Sequence, residues 1–186
     1  MRRVVITGVG LITALGTGTE KTWNSLLNGD CGINTIESFD TSDQSVHIAG
    51  EVRDFNPEDY IEKKELKKLG RFSQFAIAAS KMALDDAKLD INESNATRVG
   101  VIIGSGIGAL EVIETEIGKM IEKGPKRISP FYIPAVITNM ASGNVSIYTG
   151  AKGPNKAIVT ACASGTHSIG DAFQTILLGK ADAVIA

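Results

Sequence analysis

The segment Val159-Thr160-Ala161-Cys162-Ala163-Ser164-Gly165 sets a thiol between an apolar, β-branched run and a helix-forming stretch, with small residues on both sides. Small neighbours permit the sharp turn that lifts a nucleophile clear of its strand. The first turn of the following helix carries unpaired N–H groups and a partial positive charge that stabilise negative charge on sulfur. The same N–H groups suit an oxyanion formed when a thioester carbonyl is attacked, so the chemistry expected at Cys162 is acyl transfer. The opposing expectation is a small buried core residue, which is what most unpaired cysteines are. His167 lies about 140° around a helix from Cys162, so the two form no dyad and His167 is expected to bond or pack locally.

Two other patterns imitate chemistry. Gly104-Ser105-Gly106-Ile107-Gly108-Ala109 satisfies G-x-G-x-x-A between a strand and a helix, but no second strand ending in an acid follows about 20 residues on, as a dinucleotide site requires. Tyr148-x-x-x-Lys152, with Thr7-Gly8, mimics a short-chain dehydrogenase; Gly150, Gly153 and Pro154 break the helix that would align Tyr148 with Lys152. A nicotinamide-dependent dehydrogenase is therefore a minor alternative. Two histidines and two scattered cysteines, Cys31 and Cys162, give no metal-ligand spacing, and neither metal nor cofactor is expected.

The elements that must position Cys162 follow from periodicity. Arg3 to Thr7 reads as a buried strand entering the turn Gly8-Val9-Gly10, and Thr19 as the start of a helix that Asn28-Gly29 stops. A strand is expected near Val46 to Val52, a charged helix over Pro57 to Leu69 and a more apolar one over Phe72 to Leu89. Val99 to Ile103 is a second buried strand, followed by a helix from Leu110 to Glu122, a Pro-bounded stretch to Pro134 and a helix from Ala135 to Tyr148. Lys156 to Thr160 is a third buried strand, directly after which Ala161-Cys162-Ala163-Ser164-Gly165 opens a helix that runs to about Leu178; Ala181 to Ala186 begins one more strand. Strands alternating with helices imply an α/β sheet covered by helices on its faces. The whole chain, 1–186, reads as one domain, and because it stops inside an apolar strand it is expected to be truncated, with its C-terminal half absent.

Composition excludes several functions. A net charge of −2 gives no bulk affinity for nucleic acid or an acidic membrane surface. No segment approaches the roughly 18 apolar residues that span a bilayer, and the Met1 to Leu15 start is interrupted by Thr7, Gly8, Gly10 and Thr13, unlike a secretory leader. With only two cysteines, far apart in sequence, a disulfide framework is not expected and a reducing cytoplasm fits. Lys64, Lys67 and Lys68 have the i, i+3, i+4 spacing of one helix face, a compact basic patch in an acidic chain.

Thr160 to Gly165 followed by Gly170 resembles the active-site signature of the elongating ketosynthases. Val4 to Gly10, Gly104 to Gly108, and Ile128-Ser129-Pro130-Phe131-Tyr132-Ile133-Pro134 match the same family in the expected order. The resemblance covers the whole chain and is nearest the β-ketoacyl-acyl-carrier-protein synthase II class. It implies a thiolase-like layered fold (helix/sheet/helix), of which this chain is the first of two repeats. It implies fatty-acid chain elongation by decarboxylative condensation, with the acyl chain held on Cys162 and no cofactor. The two histidines and the lysine that the family uses for decarboxylation belong to the second half of its sequence, so this chain alone is expected to be inactive. Ile107 matches an acyl-pocket residue and Tyr132 an aromatic reaching the partner's pocket in a homodimer. Lys64, Lys67, Lys68, Lys126 and Arg127 match positions that dock acyl carrier protein in its acyl and malonyl forms. Gly70 departs from the acidic residue expected after the lysine helix. A non-catalytic ketosynthase-like partner subunit is the alternative, disfavoured because such subunits usually replace the cysteine.

Overall fold

A computed structural model describes residues 2–186. In chain order its main elements are β1 (Ile12–Thr13), β2 (Gly16–Thr17), α1 (Thr19–Asn28), β3 (Asn34–Thr35), β4 (Ile48–Ala49), α2 (Lys63–Leu66), α3 (Arg71–Ala87) and β5 (Val99–Gly104). These are followed by α4 (Leu110–Lys123), α5 (Tyr132–Val136), α6 (Met140–Thr149), β6 (Asn155–Ile158), α7 (Ser164–Leu177) and β7 (Ala183–Ile185).

The functional half of the molecule is built around β5. Its sequence is apolar without alternation, the pattern of a strand covered on both faces, and Val99, Val101 and Ile102 are each at most 2% exposed. It is the middle strand of a parallel sheet ordered β6-β5-β7, pairing Gly104 with Ile158 on one side and Val101 with Ile185 on the other. The chain leaves β5 in one direction to reach β6, then crosses back over β5 to reach β7. Right-handed crossovers run in opposite directions place their helices on opposite faces. Val99 and Val101 accordingly pack with Ile77 of α3 and Val145 of α6, whereas a Cβ added at Gly104 would meet Ser164 and Ser168 of α7. Ile77, Val101 and Val145 are at most 1% exposed, each contributing roughly 1.5–3 kcal/mol by burial.

Four expectations from the sequence are corrected. Arg3 to Thr7 is not a buried strand: among the described residues it has no ladder partner, and Val5 and Ile6 are 57% and 81% exposed. A β-branched run specifies extended backbone but not what pairs with it. The segment is tied down at its ends instead. Arg2 donates to Asp182 at 2.9 Å, and Gly8 and Gly10 lie so close to α3 that a Cβ would sit 2.1 Å from Ala83 O and 2.0 Å from Ala79 O. Arg98, and then Arg2, hold the Asp182 carboxyl well below the usual carboxylate range.

Pro57 to Leu69 is not one helix. A 3-10 turn at Pro57–Asp59 ends at Tyr60, whose φ of −122° turns Ile61 into the core while the Tyr60 ring stacks on Phe55 at 6.0 Å. Ala135 to Tyr148 is two helices because the Val136 carbonyl accepts from Ala109 N–H at 3.4 Å and Ile137 is extended. Finally, β6 is an edge strand, exposed at Asn155 and Lys156, and it stops at Ile158 rather than Thr160.

Candidate active site

Past Ile158 the chain runs through Val159 and Thr160 into a 3-10 turn, Ala161–Ala163, that feeds directly into α7. Ala161 has φ +48°, the left-handed region, which costs a residue with a Cβ roughly 1–2 kcal/mol. It is the residue before Cys162, so the strain lies at the point that aims the thiol. Cys162 is exposed, which removes the reading of a buried core thiol in this chain.

Ser164 holds the strained turn from inside. Only 4% exposed, its Oγ accepts the Thr160 N–H at 2.9 Å and donates to the Ala161 carbonyl at 2.7 Å, bracketing the turn with one hydroxyl. Ser168, 1% exposed, donates from its Oγ to the Ser164 carbonyl at 2.9 Å. His167 Nδ1 lies 2.8 Å from Thr160 Oγ1, the local bond expected of it in place of a dyad with Cys162. The N–H of Ala163 donates to Thr160 O at 3.0 Å and that of Ser164 to Ala161 O. Those two donors are therefore committed to the turn and are not open to an oxyanion, as the helix start alone had implied.

The glycine loop sits beside this turn. Ser105 N–H donates to Ile158 O at 3.2 Å, extending the β5–β6 ladder by one bond, and Ser105 Oγ accepts the Gly108 N–H at 3.2 Å. Gly104 is where α7 touches the sheet, with a hypothetical Cβ 2.4 Å from Ser164 O, and Gly106 faces Ala161 at 3.5 Å. Gly108 has φ +88° and faces Val136 O. These glycines thus seat the nucleophile's helix and α5.

The remaining predicted residues are more dispersed. Ile107, at the loop's tip, is 67% exposed, and Tyr132 is half-buried at the start of α5. A recess of about 330 Å³ opens between α3 and the C-terminal end of β5, lined by Phe72, Phe75, Ala79, Ile103, Gly104 and Ser105; Cys162, Ile107 and Tyr132 are not among its walls. The lysine face is also altered. The helix carrying Lys64 ends at Leu66, so Lys67 and Lys68 lie past it. Lys64 pairs with Glu62 at 2.6 Å and Lys68 with Glu65 at 2.9 Å. Two of the three charges are thereby compensated locally. Lys126 and Arg127 are exposed in a 3-10 turn after α4. Ser164 is not marked by any sequence signal, because its hydroxyl bonds back to Thr160 and Ala161 instead of capping α7, whose N-cap is Ala163 with no side-chain bond.

The profile of the β-ketoacyl synthase N-terminal domain matches residues 1–186. The chain belongs to the β-ketoacyl synthase family. Among curated relatives, this synthase chain is 52% identical over 184 residues to 3-oxoacyl-[acyl-carrier-protein] synthase 2 of Staphylococcus aureus (strain COL), covering 99% of the chain and 44% of the relative. Among solved structures it resembles the ishigamide ketosynthase/chain length factor, with TM-score 0.87 and 30% identity over 97% of this chain and 45% of that one. It also resembles a type II polyketide ketosynthase bound to its acyl-carrier protein, with TM-score 0.80 and 25% identity over 95% and 47%. The layered thiolase-like fold expected from the sequence is borne out, and the chain spans about half the length of the synthases it matches. Among the described residues no helix is long and apolar enough to cross a membrane.

Proposed function

We propose that this chain is the acyl-accepting half of a synthase that elongates fatty acyl chains on acyl carrier protein. The observation that carries the proposal is the exposed thiol of Cys162 on a strained turn bracketed by Ser164. The Cys162 thiolate attacks the thioester carbonyl of an acyl carrier protein, the tetrahedral intermediate collapses, and the carrier's thiol leaves with the acyl group retained on sulfur. In the condensing step a malonyl carrier protein loses carbon dioxide, its carbanion attacks the Cys162 thioester, and the 3-ketoacyl carrier protein departs as the thiolate is restored. That step draws on the His/His/Lys set that the family carries beyond the segment matched here.

Ile107 and Tyr132 are assigned to the acyl pocket, Tyr132 across a homodimer, and Lys64, Lys67, Lys68, Lys126 and Arg127 to carrier docking. Lys67, Lys126 and Arg127 are the stronger docking candidates, since among the described residues no acidic side chain pairs with them as Glu62 and Glu65 pair with Lys64 and Lys68. Exposed apolar residues on α4, with Ile121 77% exposed, and the exposed edge strand β6 support dimer formation. The polyketide synthase solved with its acyl-carrier protein supports the carrier as partner. A cytoplasmic location suits two free thiols.

The test is intact-mass analysis of a synthase of the relatives' length carrying these residues, incubated with acyl carrier protein charged with a single acyl group. One acyl adduct is expected, mapping to Cys162 and lost in Cys162→Ala. An adduct that survives Cys162→Ala sinks the assignment. No adduct at all, in a chain that still dimerises, favours the non-catalytic partner subunit.

A further inference from the structure

Glu116 is 5% exposed on α4 and has no part in the acyl-transfer chemistry. A carboxylate so far out of water needs strong partners. Its Oε2 accepts the Ser129 N–H at 2.7 Å, and its Oε1 accepts from the Lys119 ammonium at 2.6 Å. Lys119 first, and then the Ser129 N–H, hold its carboxyl below the usual range.

Ser129 passes this constraint along the chain. Its Oγ accepts the Phe131 N–H at 3.1 Å and its carbonyl the Tyr132 N–H at 3.0 Å. From the other side the Lys68 ammonium sits 5.4 Å from the centre of the Phe131 ring. The far end of α5 is fixed by the burial of Ala135 and Val136 and by close backbone contact: a Cβ at Gly70 would lie 2.5 Å from Ala135 O, and one at Gly108 2.1 Å from Val136 O. The near end, which bears Tyr132, is moored through Glu116 and Ser129.

We propose that Glu116 is a positioning residue for acyl-chain-length selectivity, holding the Ser129–Phe131 turn and with it the Tyr132 ring at the wall of the acyl site. This rests on the assignment of Tyr132 to the pocket made above. The carboxylate touches no substrate; it acts through the backbone of Ser129. The bond it makes also closes the span that carries Lys126 and Arg127, so carrier docking and pocket wall share one anchor.

The test is the ratio of kcat/KM for dodecanoyl over hexanoyl carrier protein, which is independent of the fraction of correctly folded enzyme. It is measured in a synthase of the relatives' length carrying these residues. Glu116→Ala is expected to raise the ratio about tenfold as the wall loosens and admits longer chains, the scale at which a pocket senses methylenes. Glu116→Gln keeps an acceptor for the Ser129 N–H and is expected to stay within about twofold of the parent, as is Lys119→Met, which removes only the ion pair. Ser129→Ala leaves the carboxylate bonded, breaks only the relay to Phe131, and is expected to shift the ratio in the same direction. Tyr132→Ala is expected to raise it too, and Glu116→Ala added to Tyr132→Ala to change it no further. If Tyr132→Ala leaves the ratio unchanged, the pocket assignment of Tyr132 fails and this inference with it. If Tyr132→Ala shifts the ratio while Glu116→Ala and Ser129→Ala do not, the role of Glu116 is overturned and the pocket assignment stands.

Discussion

Adding one methyl group at Gly104 separates the seat of α7 on the sheet from the chemistry of the thiol. A Cβ there would stand 2.4 Å from Ser164 O, 2.5 Å from Ser164 C and 2.8 Å from Ser168 Oγ. The Ser168 hydroxyl can rotate aside, but the Ser164 backbone cannot. To reach 3.0 Å, below which such contacts do not occur, the start of α7 must retreat by ~0.6 Å, and by ~1 Å for ordinary van der Waals contact. Overpacking of this kind costs about 1–3 kcal/mol. The larger effect is on aim, since Ser164 brackets the turn holding Cys162. A reacting atom misplaced by ~1 Å loses about 10²-fold in rate. The assay is single-turnover loading of Cys162 from acyl carrier protein, followed by intact mass in a synthase of the relatives' length, with Tm measured alongside. Gly104→Ala is expected to slow loading about 100-fold with a modest fall in Tm. Loading within about twofold of the parent, at unchanged Tm, would refute the idea that this contact sets the position of the nucleophile.

Ser164→Ala removes both bonds across the strained turn, and is expected to cost about 1–3 kcal/mol by denaturant titration and to slow Cys162 alkylation; unchanged reactivity contradicts the bracing role. Gly118 lies mid-helix in α4 with open space where a Cβ would be, so Gly118→Ala should stabilise by about 0.5–1 kcal/mol, read as a higher Tm. Hydrogen bonds from Ser38 and the Glu37 N–H, with Arg53, hold the Glu51 carboxyl at about 2, against 4.5 for an ordinary glutamate. Because the folded value is the lower one, this stabilisation is complete above pH 4.5 and is lost as pH falls from there toward 2. Carboxyl NMR should place the Glu51 midpoint near the lower figure, and Glu51→Gln should flatten acid sensitivity around β3 and β4; a midpoint at the ordinary value overturns the reading.

The parts legible in the sequence were those whose residue types have few other uses. A cysteine framed by alanines at a strand-to-helix junction, and a run of glycines closing an apolar strand, each lie just past the C-terminal end of a strand as periodicity implied; the structure adds that the two strands are parallel neighbours. Pairing partners were not legible. Val5 and Ile6 have the composition of an inner strand yet are exposed, because a β-branched run specifies extended backbone and not what pairs with it. The helix expected over Pro57 to Leu69 failed because core packing of Ile61 outweighed local propensity. The strain at Ala161 was invisible for a different reason: a left-handed residue is normally advertised by glycine, and here an alanine is held there by a serine three positions on. Glu116 carries no motif, and its bond to Ser129 depends on the path of a loop that periodicity does not describe.

The last rung of the β5–β6 ladder, Gly104 opposite Ile158, works as a ruler. Both strands leave the sheet at the same level, so the glycine loop and the cysteine turn emerge on a common rim. A register slip of two residues would carry one of them about 6.6 Å along the other. Chain length is therefore fixed between Asn155 and Thr160, because a single inserted residue there would move the thiol off the rim while every motif stayed intact in the sequence.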